Sequence, residues 1–276
     1  MEIIFNFLVE SGLLLVYSLA FIFIGGFIIS LIEDKSNYYL QKAMGYTGIV
    51  ITGLGTVVHE LSHLIFAIIG GMKIGEVKLL RPIKGREDGV LGYVSFSPRG
   101  RNLYNKMFLI PVGIAPIIGG TVVILISLKI CLPSVFQSFV GSIGELSNTI
   151  NIVSFDFLTN QLSLISKFFS ELFSASNILT INFWIFMFIV LSIASHMSLS
   201  SADIKGCIKG IPGLFILIVV VNCILALFGN GIDTTANYIT IGNVYIVVFL
   251  SISIVFSILN LIISFGISKI FGIIKG

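Results

Sequence analysis

The sequence predicts an all-α polytopic membrane protein with about six transmembrane helices and a small cytoplasmic β-hairpin after the second. Three observations predict it. The 276 residues are 56% hydrophobic and only 11% charged, less than half the ~25% charged share of a soluble domain. Mean hydropathy is +1.09. Six apolar windows approach or exceed the ~20 residues that a helix needs to cross a bilayer. This composition disfavours soluble, disordered, coiled-coil and nucleic-acid-binding classes. The chain reads as one integral membrane domain over 1–276.

The windows cover residues 12–32, 45–69, 108–132, 181–199, 211–228 and 239–265. The first ten residues hold Glu2 and Glu10 and no Lys or Arg. That lacks the basic start of a secretory signal, so the first window reads as a retained helix. The three cysteines, Cys131, Cys207 and Cys223, are widely spaced and show no C-x-x-C pairing. Neither a disulfide framework nor a thiolate metal site follows.

Basic residues set the expected orientation, because cytoplasmic loops collect Lys and Arg. Between the second and third windows stand Lys73, Lys78, Arg81, Lys84, Arg86, Arg99, Arg101 and Lys106. Lys205 and Lys209 follow the fourth window, and Lys269 and Lys275 end the chain. Six spans place all of these on one side, against Lys35, Lys42, Lys129 and Lys167 on the other. Both termini are therefore expected in the cytoplasm of a multi-pass cell-membrane protein, with anionic headgroups against the basic run.

Two connections are long. In 71–107, residues 75–80 and 90–96 alternate as short strands around the turn-forming run Lys84-Gly85-Arg86-Glu87-Asp88-Gly89. In the extracytoplasmic connection 133–180, Leu162, Ile165, Phe168, Phe169, Leu172 and Phe173 recur at helical spacing. They predict an amphipathic helix, either on the membrane surface or packed beneath the connection.

The chemistry concentrates in Val58-His59-Glu60-Leu61-Ser62-His63-Leu64 of the second window. Histidines at i and i+4 share one helix face and can reach one ion. Neutral imidazole suits Zn²⁺, and Glu60 beside the first ligand is placed to take a proton from water. The chain has three histidines in all. Two in one apolar window, with a carboxylate between them, need a ligand or a wet cavity, because ionisable groups at membrane depth are costly. A catalytic zinc normally has three protein ligands. Asp203 and His196 both fall near the end of the fourth window, and the chemistry alone leaves them level.

The chain resembles the site-2 protease family of intramembrane zinc metalloproteases. The matches are His59-Glu60-Leu61-Ser62-His63, Gly92-Tyr93-Val94, the glycine- and proline-containing run from Gly113 to Gly120, and Ala202-Asp203-Ile204-Lys205-Gly206. They span a metalloprotease core over about 47–210. The resemblance implies His59, His63 and Asp203 as zinc ligands and Glu60 as general base. His196 lies near the family's Asn position, as an oxyanion group or the alternative third ligand. The implied activity is hydrolysis of peptide bonds in transmembrane or membrane-associated protein substrates near the cytoplasmic face, with the lipid bilayer and no nucleic acid as further partner. Two other functions fit the same residues: a transporter or metal permease with the His/Asp cluster as its ion path, and a catalytically inactive relative.

Overall fold

Helices dominate because backbone polar groups in hydrocarbon need internal partners, which a helix supplies within one segment. A computed structural model describes residues 2–100, 103–146, 154–228 and 232–275. Arg101 and residues 147–153, within the two long connections, lie outside the described residues. The chain opens with α1 (Glu2–Met44), α2 (Tyr46–Ile51) and α3 (Gly53–Ile69). The hairpin follows: β1 (Lys73–Lys78), the helical turn α4 (Gly85–Asp88) and β2 (Tyr93–Ser97). Next come α5 (Leu103–Met107), α6 (Leu109–Gly113), α7 (Ala115–Cys131), α8 (Pro133–Leu146), α9 (Phe155–Leu172) and α10 (Ala175–Ile178). The chain closes with α11 (Ile181–Ala194), α12 (Ser201–Leu227) and α13 (Ile232–Lys275).

Among the described residues, three helices are long and apolar enough to cross a membrane: Phe5–Met44, Ser201–Leu227 and Ile232–Gly272. A fourth span is complete if Tyr104–Gly113 and Ala115–Cys131, bent by 55°, count as one. Pro111 and Pro116 flank that bend, where each removes a backbone donor. The other two windows contain the shorter apolar helices α3 and α11. The second window breaks at Thr52, which separates α2 from α3, while Gly45, with a positive φ of 63°, parts α1 from α2 at its start. The fourth stops at Ala194, short of the expected 199.

Helices α1 and α13 lie side by side and parallel. Asn243 donates to the Tyr17 carbonyl, Ser36 bonds Ser264, and the Tyr39 ring packs edge-on against Phe265. The sequence offset stays nearly constant along this pair. The chain from Leu199 through α12 runs the opposite way along α1, with Leu199 against Gly26 and Asn222 against Ser11. A six-crossing path with both termini on one face makes its first and last helices antiparallel. The parallel α1–α13 pair differs from that antiparallel arrangement.

The core is aromatic and aliphatic, with Ile29, Phe157, Phe186 and Phe256 fully buried. Helix α9 is the amphipathic helix expected in 133–180. Its N-cap Ser154 accepts from the Phe157 amide, and Phe157, Leu164, Phe168 and Leu172 are buried. Phe168 packs on Phe139 of α8 and Phe256 of α13. Gln161 donates to Ser251 and to the Val247 carbonyl. One face of this helix is thus packed against α8 and α13.

The hairpin forms with strands shifted slightly from the expected bounds. β1 pairs antiparallel with β2 through Lys73↔Ser97, Ile74↔Phe96, Val77↔Val94 and Lys78↔Tyr93, with a register shift between Ile74 and Val77. Ser95 fills that bulge: its hydroxyl accepts from the Glu76 amide at 2.6 Å and donates to the Glu76 carbonyl. The Tyr93 hydroxyl donates to Glu76 and holds its carboxyl below the ordinary range. Arg81 meets Asp88 at 2.7 Å across the turn.

Candidate metal centre

Helix α3 carries His59, Glu60 and His63 into the interior because its glycines admit close neighbours. A Cβ at Gly55 would collide with the Ser192 carbonyl of α11. From α7, a Cβ at Gly119 would collide with the Ser62 side chain, so that helix too packs directly on the motif. Gly113 lets α6 press on Asp203 and Cys207 of α12. Small residues at such contacts are the usual means of close packing in membranes. Gly55→Ala must push α3 off a rigid backbone carbonyl. It is expected to cost about 1–3 kcal/mol of stability and to weaken metal binding with it, read by thermal unfolding and metal titration in detergent.

Both imidazoles are oriented from behind by backbone carbonyls. His59 Nδ1 lies 2.7 Å from the His196 carbonyl, and His63 Nδ1 lies 2.8 Å from the Val112 carbonyl. A carbonyl only accepts, so each Nδ1 carries a proton, and in the neutral imidazole each Nε2 then keeps its lone pair. The two Nε2 atoms stand 3.1 Å apart. Asp203 Oδ1 lies 3.2 Å from His63 Nε2. These three electron-pair donors converge within 4.8 Å of one another. A bridging proton would satisfy two of them; a divalent cation accepts all three. For metal–ligand bonds of ~2 Å, tetrahedral donors sit about 3.3 Å apart, close to the 3.1 and 3.2 Å separations from His63. His59, His63 and Asp203 could therefore hold a metal ion.

Asp203 also has a structural task. It is the third residue of α12 in a capping box: Ser200 Oγ accepts from the Asp203 amide, and Asp203 Oδ2 accepts from the Ser200 amide at 2.8 Å. The cap fixes the carboxylate and leaves Oδ1 aimed at His63. His63 and Asp203 are buried, at 5% and 8% exposure. His196 joins the site by its backbone. Its ring Nδ1 donates to the Ser192 carbonyl at 3.3 Å. The metal-capable group found among the described residues does not include that imidazole.

Glu60 faces the hairpin. The Val94 backbone of β2 lies beside its carboxylate, and a Cβ at Gly92 would meet Glu60 and Thr56. Phe96, two residues beyond Val94, stacks over His63 at 6.3 Å. The strand after Gly92 therefore roofs the site. Sequence reasoning did not single out the Val112 and His196 carbonyls, which carry no side-chain signal, or Ser200, whose position three residues before Asp203 is a readable capping signature.

No protein-family model, curated protein or solved structure matches this chain.

Proposed function

We propose that the chain is a zinc-dependent intramembrane endopeptidase, a divergent relative of the site-2 protease family in the cell membrane. In this reading it hydrolyses peptide bonds of membrane-protein substrates near the cytoplasmic face. The observation that supports it most is the convergence of two imidazole lone pairs and one carboxylate oxygen beside a carboxylate that faces a β-strand.

Bound Zn²⁺ supplies a Lewis acid that polarises a carbonyl and acidifies water toward a pKa of ~7. His59, His63 and Asp203 hold it, and their hydrogen bonds to backbone groups keep the donor atoms aimed. Glu60 takes a proton from the attacking water and returns it to the leaving amine. The scissile segment must be extended, since helical carbonyls are tied up in internal bonds. Among the described residues β2 has a partner strand, β1, on one side alone, so its other edge suits an extended peptide.

The test is cleavage of a single-span protein substrate by the purified chain in lipid vesicles. Chelation should stop cleavage, and added Zn²⁺ should restore it. Metal flux across the vesicle wall without any cleaved product would favour the permease instead.

A further inference from the structure

We infer that the parallel pair α1 and α13, which supplies no ligand, positions the metal centre by clamping the joint between α11 and α12 through Asn260, Ser195 and Glu33. The inference rests on reading His59, His63 and Asp203 as metal ligands.

The joint, residues 195–200, sets two parts of the site. Its His196 carbonyl orients His59, and its Ser200 caps α12 and fixes Asp203. Its own bonds run back into α11: the Ser195 amide and hydroxyl reach Leu191, and the His196 amide and ring reach Ile193 and Ser192. The remaining support comes from outside. The Ser198 amide donates to Glu33 Oε2 of α1 at 3.1 Å. Asn260 of α13 donates to Ser195 Oγ at 2.7 Å and to Ser36 Oγ of α1 at 2.9 Å. Ser36 bonds Ser264, and Ser257 donates to the Ala194 carbonyl. Ser36, Ser195, Ser257 and Ser264 are each no more than 1% exposed, and Asn260 is 6% exposed. Both hydrogens of the Asn260 amide are used, one on each neighbouring helix. Such a network fixes one arrangement of its members, because a shifted member would leave a buried donor unpaired.

General helix-pairing glue is the competing explanation, and α13 contains its own control. Asn243 makes the same kind of bond, to the Tyr17 carbonyl of α1 at 3.0 Å, some four to five helical turns before Asn260 and without touching the joint. The test uses the full chain in detergent micelles. Affinity for Zn²⁺ is read by chelator competition, and ligand geometry by the visible spectrum of bound Co²⁺. Asn260→Leu should weaken binding about 10–100-fold and alter the Co²⁺ bands. Asn243→Leu should lower thermal stability and leave both readouts at wild-type values. Glu33→Leu should weaken binding, and Glu33→Gln, which keeps an acceptor for the Ser198 amide, should restore it. Ser195→Ala trims a single hydroxyl and carries the same test if Asn260→Leu does not fold. Wild-type affinity in Asn260→Leu or Ser195→Ala would overturn the positioning role, as would equal losses in the two asparagine variants. A wild-type chain that binds neither metal removes the ligand reading itself and this inference with it.

Discussion

Asp203→Asn is expected to lose the bound metal while α12 stays capped. The carboxamide keeps an oxygen to accept from the Ser200 amide, so the capping box survives. What disappears is the anionic donor that stands 3.2 Å from His63 Nε2. Asp203→Ala removes both, adding a capping cost of about 1 kcal/mol. His196→Ala should behave differently: it leaves the backbone carbonyl that orients His59 and should retain metal. Metal content of the three purified variants checks this. Retention in Asp203→Asn with loss in His196→Ala would transfer the third-ligand role to His196.

Glu60→Gln is expected to cut peptide cleavage by about 10²–10⁴-fold, the usual share of a general base, with metal content unchanged. The amide keeps the size and shape of the carboxylate beside Val94 of β2, so the hairpin keeps its place. It cannot take up a proton. Cleavage rate and metal content measured on one preparation separate this from unfolding. A rate near wild type would remove Glu60 from the reaction.

The reach of the sequence follows from which interactions are local. His59, Glu60 and His63 are readable because one turn of helix brings i and i+4 together. The hairpin is readable because its alternation and its turn lie within one short stretch. Asp203 is different. It sits 140 residues beyond His63, and without the family resemblance nothing local separates it from His196. The clamp is also non-local: Ser198 and Glu33 are 165 residues apart, and Asn260 and Ser36 are 224 apart. Serines and asparagines scattered through apolar helices carry no periodic mark of which helix they will meet. Charge counting assigned the faces loop by loop. It could not anticipate that the long, sparsely charged α1 would lie parallel to α13.

Metal content of the wild-type chain, purified without added metal and compared with His63→Ala, tests the central claim most directly. The convergence of His59, His63 and Asp203 predicts about one divalent ion per wild-type chain, zinc before other metals, and almost none in the variant. A wild-type chain that emerges metal-free and takes up no zinc when offered it would contradict the account.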